Sequence, residues 1–201
     1  MKRFSAPTFP PSGPWDSRLS EAACNELLPT ETLHQNAWFS VRRRGGYFTI
    51  EYLQPQVVVL PVIDAASIVM VRVRRPVICD CPLELPAGGG EEGEPPEAIA
   101  ARELAEETGI SIADRSRFQP LAPLAGSSTR MPKLSYVFRV DLTREEYLRR
   151  GAHDREIECV EDVPLAEAAR RIVSGEIYVA VPVAVIGRFL AECRYQSSRW
   201  G

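Results

Sequence analysis

A glycine-rich segment leads into a glutamate-rich stretch near the middle of this chain, and together they predict a loop followed by a helix. The segment reads AGGGEEGEPP over residues 87–96, and RELAEETG follows over residues 102–109. Proline is tolerated in the first turn of a helix and glycine is favoured just past its end. The helix is therefore expected to begin at Pro95 and Pro96, to run to Thr108 and to have Gly109 as its C-cap.

Three glutamates of this helix fall on one face. Glu103, Glu106 and Glu107 stand at positions i, i+3 and i+4, which lie together on a helix. Like charges at these spacings repel each other by a few tenths of a kcal/mol per pair. The face is therefore either simply solvated or binds positive charge. Carboxylate oxygens are the ligands that Mg²⁺ and Mn²⁺ prefer, and either ion would offset the repulsion.

The spacing of the whole segment is more specific than its glutamates. Its defined positions are Gly88, Glu94, Arg102, Glu103, Leu104, Glu106, Glu107, Gly109 and Ile110. At each of them the pattern resembles the signature of the Nudix hydrolases. The resemblance implies an α+β fold, a Nudix α/β/α sandwich with a mixed central β-sheet, accompanied by a small N-terminal β-region.

The resemblance also implies roles for the loop and the helix. Glu103, Glu106 and Glu107 would bind Mg²⁺ or Mn²⁺, and the carbonyl of Ala87 would add a further ligand. Arg102 would orient a neighbouring glutamate for catalysis. The remaining positions would shape the loop–helix unit or meet the substrate there: Gly88, Glu94 and Gly109.

Residues upstream of the helix resemble the subgroup that hydrolyses ADP-ribose and other nucleoside diphosphate sugars. ELPAGGGEEGE over residues 84–94 is similar to the lead-in of that subgroup. VRVRRP over residues 71–76 matches part of its arginine-containing run. By this resemblance Arg72 and Arg75 would bind substrate, and Glu84 would face substrate or metal. The competing interpretation of the arginines is a solvated strand end.

One segment departs from the subgroup. Members that act on ADP-ribose usually carry a proline-containing SPG segment after the helix, where this chain has AGSSTRMPKLSYVF over residues 125–138. Arg130 or Lys133 would then meet the phosphate or the sugar instead. Diphosphate hydrolysis therefore remains the expected reaction, whereas this segment does not favour ADP-ribose as the particular substrate.

The rest of the chain is rich in predicted strands. WFSVRRR (38–44) and YFTIEYL (47–53) flank Gly45-Gly46, which is typical of a β-hairpin. The strands do not alternate regularly with helices, so a doubly wound sheet is not expected. Further strands are predicted over 56–64, 67–73, 118–125, 133–142 and 155–165, and helices over 165–175 and 183–195. Residues 81–90 begin with a strand pattern that is lost in the glycines, and residues 21–37 carry weak helix or loop signals.

These patterns predict three regions: a flexible arm over residues 1–20, an N-terminal β-region over 21–55, and a Nudix hydrolase domain over 56–201. By resemblance the β-region would exchange with a second subunit, which predicts a homodimer. Its aromatic residues would then be candidates for stacking on a nucleobase, with a core or interface role as the alternative. They are Trp38, Phe39, Tyr47, Phe48 and Tyr52.

Composition excludes some partners. The 201 residues carry a formal charge of −3, which gives no electrostatic reason to expect nucleic acid. No apolar run reaches the roughly 18–20 residues of a membrane helix, and no secretory signal is evident. Five scattered cysteines with two histidines do not predict a zinc site, and reduced thiols in the cytoplasm are expected.

The expected reaction is attack of water on a nucleoside diphosphate linked to a sugar, which yields a nucleoside monophosphate and a sugar phosphate. The general base would be Glu107 or a carboxylate of the AHDREIE segment, with Glu156 the first choice there, Asp154 and Glu158 next, and His153 merely exposed to solvent. Two alternatives stay open. One is a housecleaning pyrophosphatase acting on nucleoside triphosphates, and the other is a Nudix domain that senses nucleotides without catalysis.

Overall fold

The computed structural model of this protein describes residues 24–198, so the predicted arm over residues 1–20 lies outside the described residues. The first sheet has three antiparallel strands, β1 (Thr30–Gln35), β2 (Phe39–Arg44) and β3 (Tyr47–Tyr52). The predicted hairpin at Gly45-Gly46 is confirmed, because β2 and β3 pair directly across it. The expectation of helix or loop over residues 21–37 missed β1, whose six residues are all exposed and show no alternation of apolar side chains.

The second sheet is mixed, as expected. β4 and β9 run parallel, whereas the other pairs are antiparallel. The order is β10-β5-β4-β9-β8, with β6 paired to β5 and β7 paired to β4. The strands are β4 (Gln56–Ile63), β5 (Ser67–Val73), β6 (Leu83–Glu84), β7 (Ala87–Gly89), β8 (Gln119–Leu124), β9 (Ser135–Leu142) and β10 (Ile157–Pro164).

The glycine-rich segment is more ordered than its composition predicts. The sequence indicated a strand that dissolves into glycines, but Ala87, Gly88 and Gly89 form the short strand β7 on β4. Glycine is a poor strand former on its own, so the pairing partner decides the conformation. This places the start of the predicted loop at a defined position beside the sheet.

In the part of the chain that the structure describes, four α-helices accompany the sheets: α1 (Pro96–Thr108), α2 (Arg144–Leu148), α3 (Leu165–Ser174) and α4 (Ala180–Ser198). The predicted bounds of α1 are confirmed. Its C-cap Gly109 has φ 73° in the left-handed region, and its N–H donates to the carbonyl of Ala105. The short α2 was not predicted, and α4 is longer at both ends than the predicted 183–195. No helix of the described residues combines the length and the apolarity needed to cross a bilayer.

Helices cover both faces of the mixed sheet, as the α/β/α prediction requires. Val57 and Val59 of β4 pack with Ile99 and Leu104 of α1. The alternate residues of β4, which point to the opposite face, pack with residues of α3 and α4. Burying an aliphatic side chain of this size stabilises the fold by about 1.5–3 kcal/mol. The core therefore fixes α1 against β4 and β7, and this contact forms the candidate site.

Candidate active site

Two of the three glutamates on the predicted face are buried. Glu103 and Glu107 are 8% and 5% exposed, whereas the Glu106 side chain is 43% exposed. Leu104, between them in the chain, is fully buried in the core. The face is therefore not the solvated surface that a glutamate-rich helix would ordinarily present.

Gly88 lies directly against Glu103. β7 pairs with β4 so that Gly88 stands opposite Val57. A Cβ added at Gly88 would lie 2.2 Å from the Cδ and Oε1 atoms of Glu103, so the Glu103 carboxylate would have to move from its present position. Glycine at this position lets the backbone of β7 form a cradle for the carboxylate.

Arg102 lies among the carboxylates. Its Nη1 atom is 2.7 Å from Oε2 of Glu106 and 2.9 Å from Oε1 of Glu103. Its Nε atom donates to Glu94 across 3.3 Å, and Nη2 donates to the carbonyl of Gly89 across 2.8 Å. Burial lowers the pKa of Arg102, but the hydrogen bond that Arg102 donates to Glu94 and the neighbouring negative charges outweigh it and raise the pKa. Arg102 therefore joins the loop to the helix and offsets part of the negative charge.

Glu107 connects the helix to β7. Its Oε2 atom accepts a hydrogen bond from the backbone N–H of Ala87 across 3.0 Å. The pKa of Glu107 is raised to about 8, mainly by burial and also by the charges of Glu103 and Glu156, while the hydrogen bond from the Ala87 N–H and the charge of Arg75 act in the opposite direction. Burial likewise raises the pKa of Glu103. Two buried carboxylates with raised pKa values are typical of a functional site, so they support this cleft as the candidate site.

Arg75 and Glu84 stand at the edge of the same cleft. The guanidinium of Arg75 donates from Nε and Nη2 to the two carboxylate oxygens of Glu84, across 2.9 and 3.1 Å. The hydrogen bonds that Arg75 donates to Glu84 are the main reason that the pKa of Arg75 is raised, and the charges of Glu84, Glu107 and Glu156 contribute. The structure therefore brings Glu84, Glu107 and Glu156 within electrostatic range of Arg75.

The AHDREIE segment contributes carboxylates with different surroundings. Glu156 is exposed, and its backbone carbonyl accepts a hydrogen bond from the N–H of Arg74 across 3.0 Å. Glu158 accepts from the thiol of Cys81 across 3.1 Å. His153 is exposed and faces the carbonyl of Asp154. Among these groups, Glu156 is the one whose charge acts on both Glu107 and Arg75.

Arg72 does not join the group around Glu107. Its Nε atom donates to Glu161 across 2.6 Å, and its Nη2 atom donates to Glu176 across 3.1 Å. Adjacent residues of a strand point to opposite faces, and Met70 and Arg72 share the face that is covered by α3 and α4. The role of Arg72 in substrate binding stays a prediction, and its contacts are those of an ion-pair network.

Arg130 and Lys133 hold their loop against the N-terminal sheet. Arg130 donates from Nη1 to the carbonyl of Phe48 across 3.2 Å, and its own carbonyl accepts from the N–H of Ile50 across 2.8 Å. Lys133 donates from Nζ to the carbonyl of Tyr52 across 3.3 Å. Both cations therefore connect the 125–134 segment to β3 in this structure, and their contact with phosphate stays a prediction.

A cavity of about 290 Å³ opens beside the β7 cradle. Of the five aromatic candidates, Tyr52 lines it. Elsewhere, Trp38 just before β2 is 73% exposed, and Phe48 and Tyr47 of β3 are 52% and 48% exposed. The ring of Phe39 lies 6.2 Å from the ring of His34. The sequence did not single out several further lining residues, since no local pattern brings their distant segments together. They are Met131, Val179, Val181 and Pro182, which join Glu84, Ala87 and Gly88.

The residues fit a divalent cation by their chemistry. Within residues 24–198, no three aspartate, glutamate, histidine or cysteine side chains converge closely enough to hold an ion, and Arg102 contacts Glu103 and Glu106 instead. Two observations nevertheless support binding of a divalent ion. Glu103 and Glu107 are buried carboxylates with few neutralising partners. The absence of a side chain at Gly88 leaves space for the carboxylate of Glu103, which a Cβ would fill. Oxygen donors of this kind suit a hard divalent ion.

Comparison with known proteins agrees with this geometry. The NUDIX domain family matches residues 52–186, and the chain belongs to this family. It is a Nudix hydrolase, which acts with divalent metal ions on a nucleotide substrate and hydrolyses nucleoside diphosphate derivatives. The family and fold implied by the sequence pattern are thereby confirmed.

Two relatives of this chain carry the same name. An ADP-ribose pyrophosphatase of Mycobacterium tuberculosis is 33% identical over 168 residues, which cover 79% of this chain and 80% of that protein. An ADP-ribose pyrophosphatase of Bacillus subtilis is 34% identical over 125 residues, 62% of this chain and 65% of that protein. A solved structure of an ADP compounds hydrolase shares the fold, with a TM-score of 0.62 at 18% identity over 84% of this chain and 94% of that one.

Proposed function

We propose that this enzyme hydrolyses the diphosphate of ADP-ribose or of another nucleotide sugar and releases a nucleoside monophosphate and a sugar phosphate. Water adds to one phosphorus, the bond from that phosphorus to the bridging oxygen breaks, and the bridging oxygen leaves with the other phosphate. The names of the M. tuberculosis and B. subtilis relatives support ADP-ribose as the first substrate to test. The SSTRMPK segment, which departs from the usual pattern, keeps other nucleotide sugars in the proposal.

One observation carries the proposal. The buried carboxylates of Glu103 and Glu107 lie against β7, one in the Gly88 cradle and the other on the Ala87 N–H. Buried charge is unfavourable unless something positive accompanies it. Divalent ions bound to a diphosphate bring that positive charge, so the arrangement is understandable as a site for a metal-bound diphosphate and not as part of an ordinary core.

The residues around the carboxylates have complementary tasks. Arg75 presents a planar guanidinium at the edge of the cleft, which suits a phosphate oxygen. Arg102 holds Glu94, Glu103 and Glu106 in fixed relation to the loop. Glu156 takes the proton of the attacking water, since it is exposed and within electrostatic range of Glu107. Positioning by these groups contributes most to the rate of a phosphoryl transfer of this kind.

The proposed metal ligands are Glu103, Glu106, Glu107 and the Ala87 carbonyl, and the proposed ion is Mg²⁺ or Mn²⁺. When bound, such an ion polarises phosphate oxygens and lowers the pKa of bound water. The chain itself supplies only hard oxygen donors at this position, which is why these two ions are preferred over softer ones.

A substrate panel tests the proposal. ADP-ribose, other nucleoside diphosphate sugars and nucleoside triphosphates are assayed with Mg²⁺, with Mn²⁺ and with EDTA. We expect kcat/KM for one nucleotide sugar to exceed that for every triphosphate by about tenfold or more, since specificity follows differential transition-state binding, and we expect EDTA to abolish turnover. Higher kcat/KM for a triphosphate would favour a housecleaning pyrophosphatase instead.

A homodimer is part of the proposal. Phe48 and Ile50 are 52% and 44% exposed on one face of β3, and Val41 stands opposite Ile50 on β2. An exposed apolar sheet face is typical of an interaction surface. Light scattering on the eluting protein is expected to give twice the chain mass of 22.4 kDa, and the mass of one chain would contradict the dimer.

The division into an N-terminal β-region over 21–55 and a hydrolase domain over 56–201 also stays a proposal. It is supported by the separate pairing of β1, β2 and β3 in a sheet of their own. A cytoplasmic location is proposed from the expectation of reduced thiols, and fractionation of cells expressing the tagged protein tests it.

A further inference from the structure

The C-terminal end of α1 binds the loop that carries Glu156. The N–H of Gly151 donates to the carbonyl of Gly109 across 2.8 Å, and the N–H of Asp154 donates to the carbonyl of Glu106 across 2.8 Å. The last carbonyls of a helix lack partners within the helix and need donors from elsewhere. Here a distant segment supplies these donors, so the loop is attached to the same helix that carries the site glutamates.

The other end of this loop is attached to the central sheet. The carbonyl of Glu156 accepts from the N–H of Arg74 at the end of β5 across 3.0 Å, and β10 begins at the next residue, Ile157. Residues 151–156 are therefore held between α1 and β5. Glu156 itself stays exposed, which leaves its carboxylate available to a reactant.

Gly109 is required at this contact for two separate reasons. Its φ of 73° lies in the left-handed region, where side chains other than glycine are strained. In addition, a Cβ at Gly109 would lie 2.3 Å from the carbonyl oxygen and 2.9 Å from the nitrogen of Gly151. The second reason has nothing to do with ending the helix, because it concerns the closeness of the 151–156 loop.

We propose that Gly109 is a positioning residue, which seats the 151–156 loop on the end of α1 and so holds the carboxylate of Glu156 beside Glu107. The inference rests on the proposed role of Glu156 as the general base. Gly109 therefore does more than end α1. Through this contact, the helix that carries the proposed metal ligands and the loop that carries the proposed proton acceptor, Glu156, move as one unit.

Gly175 provides a matched control. It is the C-cap of α3, with φ 79° in the same left-handed region, and a Cβ added there would meet nothing within 4 Å. Gly175→Ala therefore introduces the same backbone strain at a helix end without displacing a loop. Any difference between Gly109→Ala and Gly175→Ala reports the contact with Gly151.

The first measurement compares the kinetics of these two variants with the best substrate of the panel. Misplacing a catalytic group by about 1 Å reduces the rate by up to about 100-fold. We expect Gly109→Ala to lose about 10- to 100-fold in kcat, with a small change in KM, and Gly175→Ala to stay within about twofold of the parent. Amide hydrogen exchange at Gly151 and Asp154 should become faster in Gly109→Ala alone.

The second measurement places Gly109→Ala in a Glu156→Gln background. If the glycine acts through Glu156, the two losses are not additive, and the double variant is about as active as Glu156→Gln. Fully additive losses in kcat would overturn the positioning role. This readout separates positioning from a general disturbance of the fold.

A second pair of variants keeps the test usable if Gly109→Ala does not fold. Gly151→Pro removes the N–H that donates to Gly109, whereas Gly151→Ala keeps it and adds a Cβ at an ordinary 3.8 Å from the Gly109 carbonyl. The proline variant is expected to lose more kcat than the alanine variant. Equal kcat for the two would contradict the proposal.

Two results distinguish failure of the Gly109 role from failure of the Glu156 role. Full activity of Glu156→Gln would contradict Glu156 as the base and with it the catalytic part of this inference. Unchanged amide exchange in Gly109→Ala would contradict the seating of the loop, and the role of Glu156 would remain.

Discussion

The backbone N–H of Ala87 donates to Oε2 of Glu107 across 3.0 Å and thereby joins β7 to α1 at the centre of the proposed active site. This hydrogen bond orients a carboxylate that is 5% exposed. It also connects the glycine segment with the glutamate helix, as does the hydrogen bond from Arg102 to the carbonyl of Gly89.

Replacing Glu107 or Glu106 by glutamine is expected to reduce kcat by about 100-fold or more, because a metal ligand and a negative charge are lost while the shape is kept. Glu97→Gln is the control, since Glu97 is exposed in the first turn of the same helix. Circular dichroism should be unchanged in all three variants. Near-parental kcat in both Glu106→Gln and Glu107→Gln would contradict the catalytic assignment.

Gly88→Ala is expected to displace the carboxylate of Glu103, because the added Cβ would lie 2.2 Å from it. We expect kcat to fall by about tenfold or more and the Mg²⁺ concentration for half-maximal activity to rise, since the ligand geometry changes. Gly46→Ala adds a Cβ that meets nothing within 4 Å and serves as the control. An unchanged Mg²⁺ requirement in Gly88→Ala would show that the cradle is not needed.

Arg75 and Arg72 are expected to differ, although sequence reasoning gave both the same role. Arg75→Ala should reduce kcat/KM by about 10- to 100-fold, since a charged contact to substrate phosphate is lost. Arg72→Ala should leave kcat/KM within about twofold and reduce the free energy of unfolding by about 1 kcal/mol, because it removes part-exposed ion pairs with Glu161 and Glu176. Equal losses of kcat/KM in the two variants would contradict this difference and support a role of Arg72 in substrate binding.

The metal-free enzyme should lose stability as the pH rises. Burial raises the pKa of Glu107 from its ordinary 4.5 to about 8 in the folded chain. The folded state therefore binds this proton more tightly than the unfolded state does. The resulting stabilisation is fully present below about pH 4.5 and is lost as the pH rises through about 8.

Calorimetry in EDTA measures this effect. Between about pH 5 and about pH 8, the Tm of the parent protein should fall on the order of 5 °C further than that of Glu107→Gln. Parallel Tm curves for the two proteins would contradict the raised pKa of Glu107.

Local signals in the sequence were sufficient for α1. The two prolines, Gly109 and the spacing of the glutamates all act within one helix and its caps, so the predicted bounds agree with the structure. The hairpin at Gly45-Gly46 was predicted for the same reason. β1 was missed because its six exposed residues lack an alternating pattern, and β7 was missed because pairing with β4 overrides the low strand propensity of glycine.

Long-range contacts explain what the sequence did not predict in the site. The carboxylates that hold Arg72 come from residues 161 and 176, far along the chain. Likewise, Met131 and Pro182 meet Gly88 in one cavity although no pattern near any of them predicts the encounter. The contact of Gly109 with Gly151 is a further case, since it depends on how β10 returns to β5.

The most direct test of the central claim follows phosphorus during turnover of ADP-ribose with Mg²⁺ in ¹⁸O-labelled water. For the parent enzyme we expect ³¹P NMR to show the diphosphate replaced by two phosphomonoesters, one of them carrying the isotope shift of a single ¹⁸O. Glu107→Gln should leave the diphosphate essentially intact over the same time. The account would be contradicted if the parent enzyme left the diphosphates of ADP-ribose and of every other nucleotide sugar unchanged. It would also be contradicted if Glu107→Gln cleaved them as fast as the parent, because the diphosphate would then not be hydrolysed at this helix.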